Sequence, residues 1–178
     1  MNTVEFSKNN MSIRQELEAH KLQLNEMDPV YNAYVAPFPM NRKSDIAKFI
    51  DSEYKKIGGK VDRHNYGVVL LEFKQINRAL EYLHTNGEYA AFYAVPYVIK
   101  RGIIINYREN HKERKLESIT FAAPVEINYV RGNMGVVVQR IQGTSRYKTH
   151  RIVMPDGSDF IFDIKKEDTE PSPGGSPT

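Results

Sequence analysis

Hydrophobic positions in the first hundred residues recur at helical spacing, and after Gly102 they recur at every second residue. The two periods predict helices first and strands afterwards. Ser12-Ile13-Arg14-Gln15 has capping-box form, and Ile13, Leu17, Leu24 and Met27 follow at helical spacing as far as Asp28-Pro29, a pair that ends a helix. Residues 31–40, with Pro37 and Pro39, read as a connector. A second helix is expected from a cap at Ser44, with Ile46, Phe49, Ile50 and Tyr54 on one stripe and Gly58-Gly59 as its stop. Residues 61–73 fit either a short buried strand or the lead-in to a helix. A third helix is expected over residues 74–84, with Ile76, Leu80 and Leu83 inward. Residues 88–101 read as a fourth helical stretch, kinked or split by Pro96 and stopped at Gly102.

Strands are expected at residues 103–105, 119–129, 134–141, 147–154 and 160–164. The turn signals between them are Arg131-Gly132-Asn133, Gln142-Gly143-Thr144-Ser145 and Pro155-Asp156-Gly157-Ser158. Short turns between consecutive strands make an antiparallel meander. The expected fold is therefore α+β, with N-terminal helices packed on one face of an antiparallel sheet of about four or five strands. Phe121, Val125, Ile127, Val136, Val138, Phe160 and Phe162 are assigned to the sheet core. Residues 1–11 are polar and aperiodic and are expected to be a disordered tail. The single domain is placed at 12–164. Residues 165–178, ending Pro171-Ser172-Pro173-Gly174-Gly175-Ser176-Pro177-Thr178, have the composition of a disordered linker, which suggests one module of a longer chain.

Composition narrows the chemistry. The chain has 178 residues and no cysteine, which excludes disulfides, a thiol nucleophile and thiolate metal sites. The start of the chain has no basic-then-apolar leader, and no apolar run is long enough to span a bilayer. An intracellular, cytoplasmic protein without membrane contact is the expectation. The net charge of +3 is unevenly spread: residues 100–151 hold eleven Lys or Arg against four Asp or Glu. A local excess of this kind suggests contact with a polyanion, RNA or another nucleic acid. The plainer reading is that these charges solvate exposed strand faces.

Phosphate-binding glycine loops, nucleophile elbows and paired metal-binding histidines are all missing, so no metal or cofactor is expected. Of five histidines, His20, His84 and His111 fall in polar surroundings and are expected at the surface. His64 lies in the polar cluster Arg63-His64-Asn65-Tyr66-Gly67, and His150 lies inside a strand beside Arg151. Strict alternation places Lys148, His150, Ile152 and Met154 on one strand face, with Tyr147, Thr149, Arg151 and Val153 on the other. A groove holding histidines and cations suits metal-independent RNA cleavage: imidazoles exchange protons, and guanidinium groups stabilise the phosphorane. The catalytic candidates are His64, His150 and Arg140. Lys100, Arg101, Arg146, Lys148 and Arg151 are the candidates for holding nucleic acid. Glu72 and Glu126 are the placed carboxylates.

The runs Val98-Ile99-Lys100-Arg101-Gly102-Ile103 and Ile119-Thr120-Phe121-Ala122-Ala123-Pro124-Val125-Glu126-Ile127 resemble a phage module, as do Arg131-Gly132-Asn133-Met134, Arg146-Tyr147 to His150-Arg151, and Met154-Pro155-Asp156-Gly157-Ser158. The chain is similar to modules of large polyvalent and head-morphogenesis proteins of Firmicute phages, grouped with the barnase/EndoU/colicin/RelE-like nuclease superfamily. The resemblance implies helices followed by an antiparallel sheet with a site on its open face. It also implies residence in a bacterial host cell, or delivery with a phage particle. His150 and Arg151 match its His-Arg strand, Lys100 and Arg101 its Lys-Arg-Gly turn, and His64 a histidine before the third helix. No glutamate matches a barnase-type general base. Two functions follow: a metal-independent endoribonuclease, or a non-catalytic module that binds nucleic acid or a host or phage protein. A nuclease needs its polar groups convergent; a binder tolerates them dispersed.

Overall fold

The computed structural model describes residues 12–109 and 116–161. The expected tails, His111 and Phe162 lie outside these ranges. The capping box at Ser12 forms as read: its side chain accepts from Gln15 N, and Gln15 reaches back to the Ser12 amide. The first helical stretch is broken at His20 into α1 (Ile13–Ala19) and α2 (Lys21–Asn25). After the short β1 (Asn32–Ala33), α3 (Lys43–Lys55) buries Ile46, Ala47, Ile50 and Tyr54. The ambiguous stretch becomes a hairpin, β2 (Lys60–Arg63) and β3 (Gly67–Leu70). Next come α4 (Phe73–Tyr82), α5 (Asn86–Ala90), one 3-10 turn (Ala91–Tyr93) and α6 (Val95–Arg101). Pro96 sits in the first turn of α6, where its missing N–H costs nothing. Four strands follow: β4 (Ile103–Glu109), β5 (Leu116–Ile127), β6 (Val130–Ile141) and β7 (Thr144–Val153).

The architecture is α+β, but the sheet is mixed and larger than a simple meander. Its order is β1-β5-β6-β7-β3-β2, and β4 pairs with β5 along the edge that β1 also uses. The meander β4 to β7 is antiparallel as expected, whereas β3 joins β7 in parallel through Val69↔Ser145 and Leu70↔Arg146. These parallel pairs link strands far apart in sequence, which turn signals cannot reveal. The β5–β6 turn is also displaced. Asn128 and Tyr129 take positive φ (50° and 70°) as a two-residue turn, and Arg131-Gly132-Asn133 continues β6. The Asn128 side chain holds the connector by accepting from Val35 N and donating to Val35 O. Of the expected strand at 160–164, residues 162–164 lie outside the described residues and Phe160 and Ile161 form no strand; just before it, Asp159 makes one bridge with Val153.

Helices cover both sheet faces rather than one. On the main face, Phe121, Val125, Ile127, Val136, Val138 and Phe160 join the core formed with α3 to α6, as expected. The opposite face holds a second cluster in which Leu17 and Leu24 of α1 and α2 pack on Ile105, Ala122 and Val153. Gly135 makes that approach close: a Cβ there would lie 2.6 Å from Ile13 Cγ2. Two arginines close helix ends against the sheet. Arg63 donates to Ile99 O and Gly102 O at the end of α6 and lies over the Phe121 ring, while Arg131 donates to Leu24 O and Met27 O at the end of α2. Cations at helix C-termini satisfy the last carbonyls and oppose the dipole.

Candidate functional site

Strand β7 carries most of the expected site, and one residue decides what it presents. Val137 pairs with Thr149, yet Val138 pairs with Tyr147, so Lys148 is the extra residue of a β-bulge. A bulge shifts alternation by one position. Tyr147 therefore shares the core face with His150 instead of opposing it, and Lys148 is exposed. The Tyr147 hydroxyl meets His150 Nδ1 at 2.8 Å, and His150 Nε2 meets Glu88 O at 2.6 Å. A carbonyl only accepts, so Nε2 carries the ring proton and Nδ1 accepts from tyrosine. The ring also packs edge-on against Phe92, at 4.6 Å between centroids. His150 is 1% exposed, and burial pushes its pKa down to about 4, against the smaller opposing effect of Glu88. This is a neutral histidine with both nitrogens committed.

The other candidates are dispersed. His64 is exposed in the β2–β3 turn. Arg140 meets the same turn: its guanidinium lies 4.4 Å from the Tyr66 ring centroid and donates to Tyr66 O and Ser145 Oγ. His150 lies five residues beyond Ser145 on β7, on the order of 15 Å of extended chain. The fold thus brings Arg140 to the turn that holds His64 and seals His150 elsewhere. Glu117 lies 3.6 Å from Arg140, Glu72 2.7 Å from Arg146, and Glu88 3.6 Å from Arg151. Among the described residues, Arg108, Arg140, Arg146 and Arg151 of the basic stretch 100–151 are matched by carboxylates, mostly from other parts of the chain: Glu16 meets Arg108, and Asp159 meets Arg151. Lys100 and Arg101 end α6, exposed. Glu126 is half-buried on β5, away from both histidines in sequence and pairing.

What the fold assembles instead is a polar cleft where β7, the α4–α5 connection and the start of α1 meet. Two adjoining hollows, of about 190 and 270 Å³, share Tyr82, Glu88 and Arg151. His84 and Asp159 border the smaller one, and Arg14, Thr149 and the edge of His150 the larger. Glu88 is 8% exposed; its Oε1 accepts from His84 N, and Thr85 caps α5 by accepting from Glu88 N. Arg14 and Arg151 both reach Asp159 Oδ1. Sequence reading missed Arg14, Glu88 and Asp159 because they come from three separated segments, each an ordinary surface charge by local pattern. A third hollow, of about 320 Å³, lies over the connector between β1 and α3, where Phe38 stacks on Tyr93 and meets Phe49 edge-on. Its signal was present in the aromatic and proline spacing of residues 31–40. Among the described residues, no group of three or more His, Asp or Glu is placed to hold a metal ion, and no helix is long and apolar enough to cross a membrane.

Searches of protein-family models, curated proteins and solved structures return no match to this chain.

Proposed function

We propose that this chain is a non-catalytic nucleic-acid-binding module whose recognition site is the cleft beside Glu88 and Arg151. The observation that carries the reading is the state of His150. A general acid or base must reach a substrate proton with a free nitrogen, directly or through one water. Both His150 nitrogens are bonded inside the protein, and its low pKa keeps it uncharged at neutral pH. The candidate partner, His64, is on a different turn. Binding needs no such convergence. Arg14 and Arg151 wall the cleft, and Lys148 is exposed three residues before Arg151. Guanidinium groups in a shallow cleft suit phosphate oxygens, and such contacts lose affinity as salt rises.

Fluorescence anisotropy with a labelled single-stranded RNA, alongside a cleavage gel run in chelator and in magnesium, tests this. Salt-sensitive binding without cleavage is expected, with weaker binding by Arg151→Gln. Cleavage that disappears in His64→Ala or His150→Gln would restore the ribonuclease reading, and absence of binding would also overturn the proposal.

A further inference from the structure

Arg14 and Arg151 are 137 positions apart in sequence, yet both side chains end on one oxygen of Asp159. Arg14 adds a bond to Gly157 O. The Asp159 side chain is 80% exposed, whereas those of Arg14 and Arg151 are 32% and 40% exposed. The carboxylate therefore has little to lose by moving into water, and the cations stay on the cleft wall. The backbone at Asp159 is held between the 154–158 turn, closed by Met154 N to Ser158 O, and the buried Phe160, so only the side chain has to swing into water.

Arg151 is held loosely in this arrangement. Its two carboxylate neighbours, Asp159 Oδ1 and Glu88 Oε2, lie at 3.5 and 3.6 Å. Charge-assisted bonds between guanidinium and oxyanion normally run about 2.7–2.9 Å, so its donors are underused. A phosphate group, free or in a phosphodiester, offers at least two unesterified oxygens to two forked guanidinium groups, whereas Asp159 offers both of them one oxygen. Thr149 lines the same hollow and brings a hydroxyl to it, whereas the Ser12 hydroxyl is held by Gln15 in the capping box. Glu88 stands behind Arg151 and is the carboxylate that remains among the described lining residues once Asp159 leaves.

We infer that Arg14 and Arg151 form a phosphate-binding site, and that Asp159 occupies it as an internal competitor in the ligand-free protein. The inference rests on reading this cleft as the recognition site and adds its ligand group and its built-in restraint. Phosphate enters as a free ion or as part of a nucleic-acid backbone, and the same two arginines serve both.

The test titrates inorganic phosphate, against chloride at matched ionic strength, into the full chain while following the arginine Nε–H resonances and the melting temperature. Asp159→Asn keeps the side-chain shape and removes its charge. It should tighten phosphate binding about three- to tenfold, the scale of one exposed ion pair to a small network. Asp159→Ala should act in the same direction, and Arg14→Gln should abolish the gain in the Asp159→Asn background. Unchanged or weaker phosphate binding in both Asp159 variants would overturn the inference. Labelled RNA separates the two readings. RNA binding that ignores Asp159 and Arg14 sinks this site and leaves the binding module standing. Phosphate binding that responds to Asp159 without any RNA binding keeps the site and sinks the nucleic-acid function.

Discussion

The two faces of the sheet are built by opposite means. The main face is closed by rings and branched chains: Phe121, Phe92, Tyr147, Val136 and Val138 are fully buried, and the polar group among them, His150, is bonded at both nitrogens. The other face buries only a few apolar side chains and is completed by ionic contacts. There Glu16 is buried with Arg108 at 3.0 Å, Arg131 closes the α2 carbonyls, and Asn133 donates to Asn25. Apolar burial drives the first face, and buried polar groups decide the geometry of the second, where Glu16 Oε1 and Asn133 Oδ1 are left without a hydrogen-bond partner among the described residues. The candidate cleft lies where the two meet, at β7, whose residues alternate between them.

The comparison predicts a graded set of losses. Phe121→Ala should cost about 3–5 kcal/mol, through lost transfer energy and the cavity left under Arg63 and Tyr66. Chemical denaturation reads this directly, and a midpoint shift near zero would reverse the ranking of the faces. Acid should act next. The folded pKa of His150 lies at about 4, below its ordinary value of 6.5, so the unfolded chain binds the proton first. The neutral ring's contribution is complete above about pH 6.5, roughly 3 kcal/mol, and is lost as pH falls towards 4. His150→Gln should flatten that part of the stability curve; an unchanged slope would show that another group sets it.

Smaller effects are expected on the opposite face. Gly135→Ala places a methyl against Ile13, and moving α1 aside should cost about 1–3 kcal/mol. Hydrogen exchange should quicken in α1 and leave β5 and β6 protected; uniform loss would mean that the faces are not separable. Glu16 should give the smallest change, with a sign opposite to that of His150. Burial raises its pKa, against bonds from Thr120 and Asn106 and the Arg108 charge. Its contribution therefore favours folding at low pH and declines as pH rises through the folded value. Glu16→Gln should shift stability by less than about 1 kcal/mol at pH 7, because removing a desolvated charge offsets the weakened pairing with Arg108. A loss above about 2 kcal/mol would mean that this face depends on its ion pair.

Local chemistry made some elements legible and long-range pairing concealed others. The Ser12 capping box, the α3 stripe and the buried β5 and β6 positions are visible because each is specified by residues within one or two turns. The split at His20 leaves no mark in the apolar spacing. The β2–β3 hairpin was ambiguous because its apolar run is too short to carry a period. Helices on both faces were missed because β5 reads as nearly continuous apolar sequence, with Ala122 and Ala123 facing opposite layers. At the site, alternation failed at one residue, Lys148, and that shift turned a candidate catalytic His150 into a core group. Arg14 and Asp159 were out of reach of any local pattern, since only the closed fold brings them together.

The parallel pairing of β3 with β7 also has a consequence in time. During synthesis the β2–β3 hairpin leaves the ribosome about 75 residues ahead of the strand that covers its edge. At about 5–20 residues per second that interval is roughly 4–15 s. Throughout it, Val69 and Leu70 present an open strand edge to whatever passes, and only the arrival of Ser145 and Arg146 closes it.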